Sequence, residues 1–197
     1  MRWPYFLGHI YRLRNQPEAA AAYFERALER QPDHLPSLLW LGEVYLADNR
    51  PDQAQTHLAR AAAIQPGSAA AAYGLGRLAL ARKDFKQAVT QFERTIELAP
   101  QASSVEYPLG LAYRELGNAA QARVHLARRG EGGVTTPDPL MDALGDLLQN
   151  AQAFEVRAAQ ALDSRDWPAA IDNLRKALAL APDNPYAHLN LGTALVL

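Results

Sequence analysis

The chain has 197 residues, of which 20 are Lys or Arg and 21 are Asp or Glu, so its formal net charge is -1. A chain so nearly neutral lacks the long-range positive field that concentrates nucleic acid or an anionic membrane. It contains no cysteine, which excludes disulfide bonds and thiolate metal sites, and no apolar run approaches the ~18 residues of a membrane span. Abundant Ala, Leu, Gln, Arg and Glu favour helices, so we predict an all-α protein with no nucleic-acid partner and no membrane insertion.

The compartment is left open by the sequence. The first residues lack the pattern of a signal peptide, so we expect a soluble protein of the cytoplasm or, if a leader has been removed, of the periplasm. The lack of cysteine is compatible with either compartment.

The first 34 residues set a pattern that returns along the chain at the same spacing. A Leu-Gly-x-x-Tyr segment begins at Leu7, small and aromatic residues follow at fixed positions, and the copy closes at Pro32. The pattern begins again at Leu41 and at Leu75, and a further copy starts at Leu109 before it loses its later positions. This internal period predicts four repeats, the last of them degenerate, at residues 1–34, 35–68, 69–102 and 103–129.

Each copy predicts an antiparallel pair of helices. The glycine of the Leu-Gly segment removes a side chain, so a second helix can approach the first one closely. Helix breakers lie between the two halves of the copies, at Asn15-Gln16-Pro17, Asn49-Arg50-Pro51, Lys83-Asp84 and Gly117-Asn118. Ser103-x-x-Glu106 has the spacing of a capping box, which predicts the start of the fourth copy's first helix.

The chain departs from its period after the fourth copy, and the interruption extends over residues 130–150. Gly130-Glu131-Gly132-Gly133 predicts a linker. Beyond Asp138-Pro139, apolar residues recur at alternating spacings of four and three, which predicts one continuous helix over about 139–163. A loop followed by an ordinary first helix is the alternative. Two further copies are predicted, one complete and one reduced to its first helix, at 151–184 and 185–197.

These repeated residues resemble the tetratricopeptide repeat family, whose pattern is W-x2-L-G-x2-Y, then A-x3-F, then P. The resemblance covers almost the whole chain, although other residues stand where the family often has Trp. It implies an all-α fold, a right-handed α-α superhelix of antiparallel helix pairs. It also implies a non-catalytic scaffold for protein-protein interaction that holds a partner peptide or protein in its concave groove.

The resemblance assigns the groove to one stripe of each first helix. Tyrosines and arginines on this stripe suit an extended peptide, because aromatic rings cover its side chains and guanidinium groups donate to its carboxylates or carbonyls. A tyrosine that simply packs against its neighbour on the inner face is the alternative. The partner-binding residues predicted in this way are Tyr5, His9, Arg12, Leu39, Glu43, Tyr73, Arg77, Tyr107, Leu111 and Arg114.

A second hypothesis makes the protein a carrier of a lipid or another apolar small molecule in the interior of the solenoid. The groove stripe offers such a ligand the side chains of Leu39, Leu46, Leu80 and Leu111. The terminal-carboxylate clamp of chaperone-binding family members is rejected, because Tyr5 and His9 stand where that clamp has Lys and Asn.

A third stripe of the first helix carries three large apolar residues, Trp3, Phe6 and Ile10. In the internal copies this side is expected to be buried against the preceding helix. An open apolar face is unusual for a terminal repeat, which normally turns a polar side outward. We therefore expect either that the chain is a piece of a longer array, with this face packed on a preceding repeat, or that it self-associates through the face.

The sequence predicts no catalytic residue, no metal site and no cofactor. The 5 histidines fall on different faces, with no pair spaced four residues apart on one helix. They are His9, His34, His57, His125 and His188. Glu25 and Glu93 lie among charges spaced like a solvated outer helix face, and we assign them no role.

Overall fold

The computed structural model describes residues 2–148 and 150–196, and the chain divides into two compact units, Met1–Pro137 (unit 1) and Asp138–Leu197 (unit 2). The helices of unit 1 are α1 (Arg2–Leu13), α2 (Pro17–Arg30), α3 (Leu35–Ala47), α4 (Pro51–Ile64), α5 (Ala69–Ala81), α6 (Phe85–Leu98), α7 (Glu106–Glu115) and α8 (Ala119–Arg128). A short 3-10 helix, Ser103–Val105, directly precedes α7.

The helices of unit 2 are α9 (Pro139–Leu148), α10 (Ala151–Asp163), α11 (Trp167–Leu180) and α12 (Pro185–Val196). Within both units, successive helices joined by short turns pack side by side as pairs, and α3 also contacts α5 directly. The prediction of an all-α helical-repeat fold is confirmed.

In the four copies of unit 1, the glycine of the Leu-Gly segment makes room for a large side chain from another helix. A Cβ on Gly42 of α3 would lie 2.6 Å from Cγ of Leu58, which is fully buried on α4. Gly74 of α5 meets the same leucine from the other side, where a Cβ would lie 2.6 Å from its Cδ2. The helices approach this closely only because both glycines lack a side chain. The same close contact between a glycine and a side chain of the paired helix is found for Gly8 with Phe24, Gly76 with Phe92, and Gly110 with Leu126.

The turn inside each helix pair uses one left-handed residue. In unit 1 these residues are Asn15, Asn49, Lys83 and Gly117, with φ of 56°, 55°, 60° and 77°. In unit 2 the equivalent residue is Arg165, with a φ of 58°. A positive φ ends the first helix, and a proline or a capping side chain then begins the second one within two residues.

Aromatic rings stack between the paired helices of the first, second and fourth copies. The ring centroids of Tyr11 and Tyr23 lie 5.1 Å apart with a 6° angle between the planes. The equivalent rings of the other two copies are 5.7 Å and 5.3 Å apart, in the pairs Tyr45 with His57 and Tyr113 with His125. These stacks add an aromatic contact to the interface between the paired helices, which the glycines allow to approach closely.

Two of the tyrosines also join neighbouring copies. The Tyr45 hydroxyl donates to Glu25 Oε1 of the preceding copy at 2.6 Å, and Tyr113 donates to Glu93 in the same way. Burial and the Glu25 carboxylate raise the pKa of Tyr45 to about 12. The prediction that Glu25 and Glu93 are merely solvated is therefore wrong, because each accepts a hydrogen bond across the interface between copies.

The prediction of one helix over 139–163 is wrong, because α9 ends at Leu148 and α10 begins at Ala151. Asn150 has an extended backbone, with φ -72° and ψ 161°, and its Oδ1 accepts a hydrogen bond from the Ala153 amide at 2.8 Å. An asparagine favours this N-cap arrangement over a place inside a helix. The apolar spacing continued through the break, which is why periodicity alone did not detect it.

The glycine-rich segment predicted as a linker is packed against the start of the fourth copy. The Gly132 amide donates to Ser103 Oγ at 3.1 Å, and the Ser104 amide donates to the Gly132 carbonyl at 2.9 Å. A Cβ on Gly132 would lie 2.3 Å from the Gln101 carbonyl oxygen. Ser103 lies in the 3-10 helix, and its Oγ accepts a hydrogen bond from this loop. The capping box predicted from Ser103 and Glu106 is therefore not formed.

Candidate functional site

A cleft opens in unit 1 where the end of α1 and the following turn face α3 and α5. Its volume is about 290 Å³, and it collects side chains from the first three copies of the repeat. The residues that line it are Arg12, Asn15, Gln16, Pro17, Trp40, Glu43, Val44, Ala47 and Arg77. The stacking of first helices therefore gathers residues more than sixty positions apart in the sequence into one concave surface.

Arg12 and Trp40 form one wall of the cleft. The guanidinium carbon of Arg12 lies 4.2 Å from the centroid of the Trp40 indole, a cation-π stack. The His9 ring contacts the same indole in an edge-to-face arrangement, with ring centroids 5.1 Å apart, and so helps to fix its orientation. Arg12 Nε is buried and has no hydrogen-bond partner among the residues that the structure describes. This wall therefore presents a cation whose N–H donors are only partly used.

Arg77 and Glu43 form another part of the cleft lining. They occupy the same position in adjacent copies, and Arg77 Nη1 donates to Glu43 Oε2 between α5 and α3. Burial lowers the pKa of Arg77 below its ordinary value, because the charged guanidinium has lost part of its hydration. Both side chains keep about a third of their surface exposed, 35% and 28%. A ligand can therefore reach this ion pair from the cleft.

The charges in the cleft do not cancel. Two arginines and one glutamate line it, which leaves an excess of one positive charge. The other lining residues are polar amides from the turn and apolar groups, notably Trp40, Val44 and Pro17. The cleft is thus a small amphipathic surface with a local basic bias, on a chain whose overall charge is nearly neutral.

Three of the ten residues predicted to bind a partner line this cleft, namely Arg12, Glu43 and Arg77. Three others are buried, and the prediction that they contact a partner is corrected. Tyr5 is 0% exposed, because the rings of Phe24 and His34 enclose it together with His9. His9 and Leu39 keep only 7% and 8% of their surface exposed. Tyr5 packs on Phe24 of α2, and His9 packs on Trp40 of α3.

The remaining predicted residues lie outside the cleft. Tyr73 is half-buried against Phe92, with ring centroids 5.9 Å apart, and burial raises its pKa. Tyr107 is 48% exposed on α7, where Leu111 is half-buried and Arg114 is exposed beside Glu115. The structure does not bring these three α7 residues together with the cleft.

Trp40 is the largest of the cleft residues that the sequence did not assign to partner binding. Its position in the repeat, which corresponds to Phe6 in the first copy, predicted burial against the preceding helix. The side chain is instead half-buried, with its ring between His9 and Arg12. The available signal was its size, since an indole is rarely covered completely by one neighbouring helix.

The apolar face of α1 is open in part. Trp3 is 78% exposed and Ile10 is 43% exposed, whereas Phe6 is half-buried. Self-association through this face, or its packing on a preceding repeat, stays a prediction.

No three or more His, Asp or Glu side chains of the described residues are grouped so that they could hold a metal ion. None of the helices described is long and apolar enough to cross a bilayer.

Comparisons with known proteins agree with the geometry of the helix pairs. Family profiles described as tetratricopeptide repeat match residues 11–78, 46–106 and 104–128, and one described as TPR repeat matches residues 163–197. No curated protein sequence matches the chain.

Solved structures extend this likeness. TTC0263, a thermophilic TPR protein of Thermus thermophilus, is 21% identical, with 98% of each chain covered and a TM-score of 0.58. A MamA fragment from Desulfovibrio magneticus RS-1 is 20% identical over 64% of this chain and 71% of that chain, with a TM-score of 0.59. A mutant O-GlcNAc transferase of Thermobaculum terrenum is 25% identical over 56% of this chain but only 21% of its own, with a TM-score of 0.53. These likenesses concern the helical-repeat fold.

Proposed function

Because the chain belongs to the tetratricopeptide repeat family, we propose that it is a non-catalytic scaffold that holds an extended segment of a partner protein in the cleft of unit 1. Members of this family are generally scaffolds for protein interaction. The observation that carries the proposal is the cleft itself, in which Arg12, Trp40, Glu43 and Arg77 converge from three copies.

The chemistry of the cleft supports a protein ligand. Tryptophan and arginine are the residues that most often dominate the energy of protein interfaces. Here they are stacked on one another and supported by His9, so little side-chain entropy remains to be lost when a partner binds. An extended peptide also brings backbone carbonyls, which the amide groups of Asn15 and Gln16 can satisfy at the rim.

The apolar-carrier hypothesis receives less support from the same residues. Leu39 is 8% exposed, and Leu46, Leu80 and Leu111 are absent from the described residues that line the cleft. The cleft instead contains three charged side chains, which an apolar molecule would have to desolvate without compensation. We therefore place a protein segment in this cleft in preference to a lipid.

Selection from a library of random peptides displayed on phage tests the proposal. We expect the wild-type protein to enrich peptides that bind reversibly, and Trp40→Ala to weaken their binding about tenfold or more, as for an interface hot spot. Trp3→Ala is the matched control, because Trp3 is a mostly exposed tryptophan outside the cleft. Its affinity should be unchanged.

Thermal unfolding of each variant separates a lost contact from a lost fold, and Trp40→Phe keeps an aromatic ring if Trp40→Ala is unstable. The proposal is contradicted if no peptide is enriched, or if folded Trp40 variants bind the enriched peptides as tightly as the wild-type protein does.

A further inference from the structure

We infer that the cleft recognises an acidic side chain, Asp or Glu, within the bound peptide, and that Arg12 and Arg77 hold its carboxylate while an adjoining apolar residue packs on Trp40. This inference rests on the proposed function and names the chemistry that the cleft selects. It concerns an internal side chain of the peptide, since the residues of a terminal-carboxylate clamp are absent from the sequence.

The first support is the unbalanced charge. Glu43 pairs with Arg77, but no carboxylate among the described residues forms an ion pair with Arg12. The guanidinium of Arg12 is held instead against the face of Trp40. A ring face stabilises a cation less than a carboxylate does, so the arrangement leaves Arg12 able to gain from an incoming anion.

The second support is the unused donor. Arg12 Nε is buried and meets no acceptor among the residues described, and a buried donor without a partner costs free energy. The planar guanidinium is fixed in orientation by its stack on the indole, so its edge donors point in a defined direction. The terminal Nη groups can give a carboxylate two parallel N–H bonds, whereas Nε, which is covered by protein atoms, reaches an incoming acceptor only if the side chain moves.

The third support is the place of Glu43. Glu43 lies in the cleft, where its carboxylate forms an ion pair with Arg77, one of the two arginines that line it. An acidic ligand therefore competes with Glu43 for Arg77, and Glu43 sets how strongly an acid is preferred. Removal of the glutamate charge should strengthen the binding of an acidic peptide, whereas removal of a helpful contact would weaken it.

The expected preference for an apolar residue beside the acidic one follows from the apolar side chains that line the cleft. Trp40 is half-buried, and Val44 and Pro17 continue the surface beside it. A carboxylate at the arginines places the neighbouring residues of an extended peptide within one or two positions of this surface. The expected ligand is thus a segment in which Asp or Glu stands beside an aliphatic or aromatic residue.

Peptide selection on matched variants tests the inference. The peptides enriched by the wild-type protein should contain Asp or Glu next to an apolar residue. Arg12→Gln, which removes the charge and leaves a shorter amide side chain with two N–H donors, should abolish this acidic enrichment and weaken the binding of the selected peptides about tenfold. Arg30→Gln is the control, because Arg30 is an exposed arginine of α2 that lies outside the cleft. It should leave the enrichment unchanged.

Direct titration of one selected acidic peptide gives the second readout. Glu43→Gln should tighten its binding about threefold, the scale of one partly exposed ion pair. Replacement of the peptide's acidic residue by its amide should weaken binding to the wild-type protein about tenfold. Circular dichroism confirms that each variant is folded before its affinity is compared.

The outcomes are distinct. Enriched peptides without acidic residues would overturn the inference and leave the proposed function standing, as would acidic peptides that bind Arg12→Gln unchanged. Weaker binding by folded Glu43→Gln would also overturn it. A selection that enriches no peptide at all would overturn the proposed function and the inference together.

Discussion

His57 of α4 stacks on the ring of Tyr45, and its titration bears on the stability of unit 1. Its pKa is lowered chiefly by burial and also by Arg60, and these effects outweigh the opposite effect of Glu25. Protonation therefore costs more in the folded state than in the unfolded chain, where the pKa of histidine is about 6.5. The folded state therefore favours the neutral form of the His57 ring.

The consequence is a loss of stability in acid. As the pH falls through about 6.5, the unfolded chain binds a proton at His57 before the folded protein does, so the free energy of unfolding decreases until the folded pKa is passed. Above about pH 6.5 both states are neutral and this penalty is absent. Urea denaturation between pH 5 and 8 checks this prediction on the wild-type protein and His57→Gln.

The variant should show a smaller decrease across this range than the wild-type protein. His188→Gln is the control, since the ring of His188 is exposed on α12. An equal pH dependence in the wild-type protein and His57→Gln would contradict the assignment.

Single residues also show what the sequence could not provide. Tyr5 and Tyr107 hold the same position in the repeat, yet one is 0% exposed and the other 48% exposed. Repeat position gives the direction of a side chain along its helix, whereas exposure depends on the size of the residues that face it from neighbouring helices. Tyr5 is enclosed by Phe24 and His34, two rings that its own helix does not reveal.

The helix pairs depend on close approach at their glycines, and Leu58 illustrates the constraint most clearly. It lies between Gly42 of its own pair and Gly74 of the next copy, so it cannot move away from either one without striking the other. A methyl group at Gly42 adds overpacking strain of about 1–3 kcal/mol, against about 1 kcal/mol gained in helix propensity. We expect the overpacking strain to exceed the gain in helix propensity, so that the substitution destabilises the protein.

We therefore predict that Gly42→Ala lowers the free energy of unfolding by about 1 kcal/mol. Gly192→Ala is the matched control, because Gly192 also follows leucine in a repeat copy but has no described atom within 4 Å of an added Cβ. It should be neutral or slightly stabilising. Urea denaturation of both variants measures the difference, and equal effects at the two glycines would refute the packing argument.

At this scale the helix pairs were predictable from the sequence, whereas the structure within the interruption was not. The Leu-Gly segments and breakers predicted the helix pairs because they act through local sequence and a fixed period. The break at Asn150 depends on a cap that competes with a continuous apolar stripe. The docking of Gly132 on Ser103 depends on a contact twenty-nine residues away along the chain. Neither has a periodic signal.

The cleft in unit 1 is a product of stacking and belongs to no single copy. Arg12, Trp40 and Arg77 come from the first, second and third copies, and only their packing places them around one space. The family resemblance assigned the groove to a stripe of the first helices that includes Arg12, Glu43 and Arg77, and these three side chains line the cleft. It could not identify Trp40, since the same position is Phe6 in the first copy and Gly74 in the third.

The three tryptophans of the chain allow the most direct test of partner binding at the cleft. Each has one indole N–H that gives one resonance, and Trp40, Trp3 and Trp167 lie in the cleft, on the open face of α1 and at the start of α11. A selected peptide is titrated into ¹⁵N-labelled protein and the three indole resonances are followed. We predict that the Trp40 resonance shifts with saturation while those of Trp3 and Trp167 stay in place. A saturable shift at Trp3 or Trp167 with none at Trp40 would contradict the assignment of the cleft as the binding site.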